Sequence, residues 1–471
     1  MLLQLLQSLQ GVLEPSTIIY GTAALVLLLS LVSTYIIQTG NITTKRRALK
    51  HLRKVGLSST TSNMEDQYDR KYDAPEDTAA TDDGPICIKS IYIHPVKSCG
   101  PVEVNRALLT KSGFLYDRCF ALATENQKTD AGSEWRFISQ RTKPRMCLIR
   151  NELWLPGKGC DPLDPLVQAG GCVVLTFEDP DVPDWISRLE TFFHTLNPFA
   201  KSQVSCIVPL QPTPAQMDEA QIKLKTFGIH ARDAAGLDMS QSSSVASALS
   251  KLKKFLDIPQ DQSLALLKCT PDTLTRTNRN LAPLEYIGSP AVHGYTDQQP
   301  ININSLSSVH ALSALLPPEN QPLDALRFRA NIWITGAPAY EEENWKRYRI
   351  QPKSASREPR AGVAPALSVV SRTSRCTMPN VNLDTGKFDT DIPAPDKKRG
   401  KPQPTTALVE HRMVDPGNGM ALGYMGMHCV PEDRDLKEAE EQGEGLYVEV
   451  GDEIEVLERG IHLFGATGND Y

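Results

Sequence analysis

The chain has 471 residues, 40% of them hydrophobic, with 34 prolines and a formal net charge of −6. That length allows about two or three domains, and an acidic balance excludes a general nucleic-acid binder, whose footprint would be basic. Ten cysteines without a Cys-x-x-Cys pair exclude a small disulfide scaffold, a zinc ribbon and a thioredoxin-like motif.

From the N-terminus, Ser16 to Ile37 is 22 residues without a charge. At about 1.5 Å per residue a helix of that length spans roughly 33 Å, enough for a bilayer core. A cleaved signal peptide would carry basic residues first; here Lys45, Arg46, Arg47, Lys50, Arg53 and Lys54 follow instead. Residues 1–40 therefore read as a membrane signal-anchor, with the body facing the cytosol and its cysteines reduced. Residues 41–85 read as a basic, then acidic, disordered linker, because so few aliphatic groups cannot offset chain entropy.

Order is expected from Ile86. "ICIKSIYIHPVKSC", "RCFALAT", "RMCLIRNELWL" and "GCVVLTF" are short β-type runs bounded by Gly, Pro or charge, which predicts an antiparallel barrel over 86–240. Val245, Leu249, Leu252 and Leu256 then recur at helical spacing, so 241–264 reads as a connecting amphipathic helix whose lysines lie on a solvated face. Residues 265–471 return to short strands and form a second domain, with 393–404 a Pro-rich basic surface loop. The class is α+β and β-rich.

The chemistry centres on Cys376, in "SRCTMPNVNLDTG". Asp384-Thr385-Gly386 resembles an aspartic-protease triplet, but that mechanism needs two aspartates sharing a proton, and a tight turn is the plainer reading. A cysteine-protease reading needs a histidine near the thiol, and neither His411 nor His428 sits in a nucleophile context. A buried, inert thiol remains the alternative to a metal ligand. Against it, Arg372, Arg375 and two serines lie within five residues, and thiolate, favoured by positive surroundings, binds soft metals. One cysteine is too few for zinc or iron–sulfur, so further ligands would come from a cofactor. Lys97 and Ser98, Arg118 and Arg329 also stand at strand ends, and such groups together suit an anionic, phosphate-bearing ligand.

"IYIHPVKSCGP", "GFLYDRCFALAT", "RFRANIWITGAPAYEEENWK" and "SRCTMPNVNLDTGKFD" together resemble the MOSC superfamily, and within it the membrane-anchored amidoxime-reducing molybdenum enzymes. The resemblance runs from about Ile86 to Leu457 and implies an N-terminal MOSC-type β-barrel domain followed by a MOSC β-barrel domain, behind a transmembrane helix at the outer mitochondrial membrane. It implies that Cys376 ligates molybdenum beside molybdopterin. It also implies that Lys97, Ser98, Arg118, Arg329, Ser374 and Arg375 hold the pterin and its phosphate, with Asp297 on a loop that binds the cofactor from its side. Gln298 and Gln299 depart from the family's usual residues after Asp297, and Ala330 replaces a proline. The implied activity is removal of oxygen from N-hydroxylated or N-oxygenated small molecules, with electrons from cytochrome b5 and its NADH-dependent reductase. No Gly-x-Gly-x-x-Gly follows a strand, so the donor would be external. The alternative is a sulfur carrier or cofactor-handling protein like the C-terminal part of molybdenum-cofactor sulfurases, whose fused pyridoxal-phosphate domain has no room before residue 86.

Overall fold

The computed structural model describes residues 15–462, apart from 40, 59, 74–83, 129–131, 182–184, 198, 231, 278–281, 354–359 and 416–421. Two closed β-structures organise it. The first barrel joins Leu224–Ile229, Arg232–Asp238, Leu264–Lys268, Phe120–Lys128 and Gly132–Phe137. The second is an eight-stranded sheet of Ile332–Thr335, Ile301–Ser305, Gly423–Pro431, Ala366–Arg375, Trp345–Gln351, Glu453–Arg459, Cys87–Ile93 and Val102–Val104. Pairing of Ile332–Thr335 with Cys87–Ile93 brings that sheet round on itself. Its central strands are covered on both faces, every residue of Ile301–Ser305 and Gly423–Pro431 being buried, whereas Trp345–Gln351 and Glu453–Arg459 carry charged residues and are partly exposed. The β-rich class with two barrels is as the sequence implied.

The barrels exchange strands across the expected boundaries. Cys87–Ile93 opens the first domain in sequence but is a stave of the second barrel, paired with Ile332–Thr335 and touching Glu453 at Cys87. Leu264–Lys268, expected in the second domain, pairs along Phe120–Thr124 in the first. Each barrel is therefore closed by chain from the other side, and the site lies where the two meet. The helix expected at 241–264 forms as Ser243–Phe255 and buries Val245, Ala248, Leu252 and Phe255. Its lysines are not free: Lys251 pairs with Asp179 (2.6 Å) and Lys254 with Asp181 (2.8 Å).

The membrane anchor expected over 16–37 is not upheld. A helix runs Pro15–Thr39. Among the described residues no helix is long and apolar enough to cross a membrane. The cytosol-facing orientation rested on that anchor, and the outer-membrane placement, drawn from the family resemblance, needed it too, so membrane anchoring is not supported.

Part of the stretch read as a disordered linker is also ordered. Leu52–Val55 pairs with Leu153–Pro156. Met64 is 2% exposed, and Glu103 accepts from Ser62 Oγ (2.6 Å) and the Asn63 amide (2.8 Å). His310 meets the Gln67 carbonyl at 2.6 Å, and Gln67 Oε1 accepts from the Ala325 amide at 2.9 Å. Composition misleads here because the polar groups find partners in the folded body instead of water. Residues 74–83 of that linker, and Met1–Glu14, lie outside the described residues.

Candidate functional site

Strand ends place the predicted residues on one cavity. Pro95 has no amide hydrogen to continue a ladder, and the chain after Ile93 turns to pair with the segment before Phe120–Lys128. The Arg118 amide donates to His94 O (2.7 Å) and the Lys97 amide to Phe120 O (2.8 Å), which sets Lys97 and Ser98 beside Arg118. Ser98, Arg118 and Arg329 all take left-handed backbone conformations (φ 68°, 44° and 54°). For non-glycine residues such angles are uncommon and cluster at functional positions. Arg329 follows the short turn Ala325–Phe328 and precedes Ile332–Thr335. Ser374, Arg375 and Cys376 come at the end of Ala366–Arg375, where Arg375 pairs with Gly423. Gly426, on the partner strand, has φ 77°, and a Cβ there would press on Ile303 O at 2.8 Å and Arg375 Nη2 at 3.3 Å. Glycine is thus required where the backbone passes close to Arg375.

The cavity measures about 340 Å³ and is lined by all eight residues singled out from sequence: Lys97, Ser98, Arg118, Asp297, Arg329, Ser374, Arg375 and Cys376. Six cations face it, Lys97, Arg118, Arg141, Arg327, Arg329 and Arg375, against the single carboxylate of Asp297. Arg118 is held by Asp117 (2.5 Å), by Asn331 Oδ1 (3.3 Å) and by the Arg329 carbonyl (3.0 Å). Arg375 donates to the carbonyls of Met425 (2.8 Å) and Phe328 (2.7 Å) and to Asn302 Oδ1 (3.2 Å). Lys97 donates to the Tyr295 carbonyl (2.9 Å) and is ion-paired with Asp297.

Burial is the main electrostatic influence. It lowers Lys97 to about 8 despite Asp297, Arg329 to about 10 with repulsion from Arg118, and Arg375 to about 9. The arginines stay charged at neutral pH, in a low-dielectric wall where an anion is strongly attracted. The enclosing cavity walls would raise Asp297, although its side chain stays half open to solvent, but Lys97 and His230 outweigh them and hold the carboxyl well below its usual range. Burial and the Arg375 charge press His428 down to about 3, so it is a neutral ring against Gln298 (2.8 Å).

These residues fit an anionic, pterin-type metal cofactor. Ser98 Oγ, Arg329 Nη2 and both amide atoms of Gln299 are buried without a hydrogen-bond partner in the protein, and unsatisfied groups of this kind are costly unless a ligand meets them. Cys376 is the one thiol on the lining. Among the described residues no cluster of three or more His, Cys, Asp or Glu could hold a metal, so a metal at Cys376 would take its other ligands from a bound group.

Sequence reading did not single out Arg141, His230, Asn302, Arg327 or Asn331, which also line the cavity, and it weighed His428 only as a protease partner for the thiol. The first two come from distant parts of the first barrel and carry no local motif. Asp384-Thr385-Gly386 is the turn expected. Asn382 Oδ1 accepts from the amides of Asp384 and Thr385 (3.1 Å each), and Gly386 has φ 64° between the paired strands Val381–Asn382 and Lys387–Phe388.

Two sequence profiles match the chain: the MOSC N-terminal beta barrel domain over residues 86–187 and the MOSC domain over 290–455. Among curated relatives, mitochondrial amidoxime-reducing component 1 of Mus musculus is 23% identical over 342 residues, 72% of this chain and 75% of the relative. Mitochondrial amidoxime reducing component 2 of Homo sapiens is 22% identical over 333 residues, 70% of this chain and 73% of the relative. A molybdenum cofactor sulfurase of Oryza sativa subsp. japonica is 24% identical over 312 residues, 64% of this chain but only 29% of that protein.

Proposed function

This chain belongs to the MOSC family, carrying both its N-terminal barrel and the MOSC domain, and from that premise we propose that it is a molybdenum-cofactor-dependent reductase of N-hydroxylated or N-oxygenated small molecules. The observation that carries the reading is the meeting of Cys376 with six cations in one 340 Å³ cavity. When bound, molybdenum–molybdopterin would supply the oxygen-atom transfer and store the electrons. Cys376 would be the protein's ligand to the metal. Lys97, Ser98, Arg118, Arg329, Ser374 and Arg375 would hold the pterin and its phosphate, with Asp297 balancing the charge of Lys97. Lys97, Arg118 and Arg375 are tied to backbone carbonyls, which fixes their donors in advance, so little reorganisation of these three accompanies ligand binding.

Cytochrome b5 and its NADH-dependent reductase are the proposed electron source. The test is reduction of an amidoxime by the purified, cofactor-loaded chain with NADH, that reductase and cytochrome b5. Turnover dependent on all three supports the reading. A chain with molybdenum near one per polypeptide and no turnover on N-oxygenated substrates contradicts it in favour of the second reading, a sulfur carrier or cofactor-handling protein. That alternative is favoured by one observation, the similarity to sulfurases alongside the amidoxime-reducing components.

A further inference from the structure

The cavity rim carries a hydrogen-bonded row that the cofactor roles above do not use. Arg141 Nη2 lies 3.0 Å from His230 Nδ1, and His230 Nε2 lies 2.8 Å from Asp297 Oδ1, the same oxygen that takes the Lys97 ammonium. A guanidinium has donors and no acceptor. His230 Nδ1 must therefore accept, which leaves the proton of the neutral ring on Nε2, where it is donated to Asp297. His230 stands just beyond Leu224–Ile229 at the hairpin turn, at φ 53°, with its ring edge-on to Phe137 (4.9 Å, 66°). Phe137 also lies beneath Lys97 (5.4 Å) and Arg141 (5.8 Å).

We infer that His230 is a positioning residue: locked by Arg141 as the Nε2–H tautomer, it holds Asp297 against Lys97 and so sets the charge the cavity offers a bound anion. The inference rests on the reading of this cavity as an anion-cofactor site. The need for a second donor is visible in the exposures. The Asp297 side chain is 49% exposed, whereas that of Lys97 is 4% exposed. A half-exposed carboxylate with one partner can rotate into water; with two donors on one oxygen it is pinned. Lys97 depends on that pinning. Burial disfavours its charge, Asp297 supports it, and Arg118 and Arg232 repel it. Arg232 is in turn tied to the loop bearing Asp297, donating to the Thr296 carbonyl at 3.1 Å. The hairpin of the first barrel thus reaches over to a loop of the second and fixes the state of a lysine deep in the wall.

The test uses the full chain made in a host that cannot make molybdopterin, so that its readouts do not depend on cofactor or turnover. Histidine ring 15N–1H spectra should show His230 as the Nε2–H tautomer in the unaltered chain and a mixture of tautomers in Arg141→Met. Lys97 acetylation by acetic anhydride, followed by mass spectrometry across pH, reports the amine directly. His230→Gly suits the left-handed backbone and should shift the profile to lower pH, giving about threefold faster labelling at neutral pH, the effect of about half a pH unit. His230→Gln, whose amide nitrogen stands in for Nε2, should restore the original profile. An Nδ1–H tautomer in the unaltered chain, or a His230→Gly profile identical to it, would overturn the inference. Failure of the cofactor reading would appear separately, as absence of molybdenum from the chain made in a competent host.

Discussion

Arg118 and Arg375, two like charges on one cavity, are joined through a pair of asparagines. Asn331 Oδ1 accepts from Arg118 Nη1 (3.3 Å) and from the Asn302 amide (3.1 Å), while Asn302 Oδ1 accepts from Arg375 Nη2 (3.2 Å). Asn331 Nδ2 closes the set on the Tyr92 carbonyl (3.1 Å). Neutral amides can accept from a cation on one end and donate to a carbonyl on the other, so they position guanidiniums without cancelling their charge.

Replacing Asn331 with Leu, similar in size and unable to hydrogen-bond, strands the Asn302 amide, the Tyr92 carbonyl and one arm of Arg118. Unsatisfied buried groups cost about 1–3 kcal/mol each, and partial relaxation should leave a net loss of about 2–4 kcal/mol. Chemical denaturation of the purified chain checks this. An unchanged midpoint would mean that the two arginines are held independently.

Glu342 gives the fold a pH dependence. It is fully buried and accepts from Ser308 Oγ (2.9 Å) and from the Ser305 amide (3.3 Å). Burial raises it from 4.5 to about 7, against the opposing hydrogen bonds. Its folded value is the higher one, so the folded state keeps the proton that the unfolded chain has lost. The associated stability is complete below about 4.5 and is lost as pH rises through about 7, at most about 3 kcal/mol. Glu342→Gln should flatten this fall between pH 5 and 8 and be more stable than the unaltered chain at pH 8. Parallel pH–stability curves would refute it.

The segment before Ile86 contributes to the body. A chain beginning at residue 84 loses Met64, the Ser62 and Asn63 bonds to Glu103, and Gln67 from the turn that leads to Arg329. It should denature earlier than one beginning at residue 41. Met64→Ala alone should cost about 2 kcal/mol or more, the usual penalty for truncating a buried methionine. Equal stability of the two lengths would show that residues 60–73 only lie on the surface.

Asp117 is the buried counter-ion of Arg118 and also accepts from the His94 amide (2.7 Å). Burial would raise it, but Arg118 and His94 overcome that and lower it to about 2. Its stabilisation is present above the ordinary value of 3.8 and is lost as pH falls through about 2. Asp117→Leu removes one partner of a buried pair and should cost about 3–5 kcal/mol. Equilibrium denaturation at pH 7 would expose the contrary case, a loss below 1 kcal/mol.

The parts of the site legible in the sequence were those whose residues fall at strand ends within short motifs: Lys97 and Ser98 after Pro95, Arg118 before Phe120, Arg329 before Ile332, and Arg375 with Cys376. Strand alternation and breakers reveal where such ends fall. His230 and Arg141 were not legible, because they reach the cavity only through barrel closure and nothing in "GIHARD" or "SQRTKP" marks that approach. The strand exchange was hidden for the same reason, since Leu264–Lys268 has the same apolar character whichever barrel it completes. The ordered residues 60–73 were missed because their partners, Glu103 and His310, are far away in sequence. The apolar run after Ser16 had the length of an anchor, yet among the described residues no helix meets the requirement.

The central claim is that Cys376 and the cations around it hold a molybdenum–molybdopterin group. The most direct measurement is molybdenum and pterin content, per chain, of the full-length protein and its Cys376→Ala variant from a molybdopterin-competent host. The account predicts both near one per chain in the unaltered protein, with molybdenum lost from the variant while the fold is kept. No molybdenum in the unaltered protein, or equal molybdenum in the two, would contradict it.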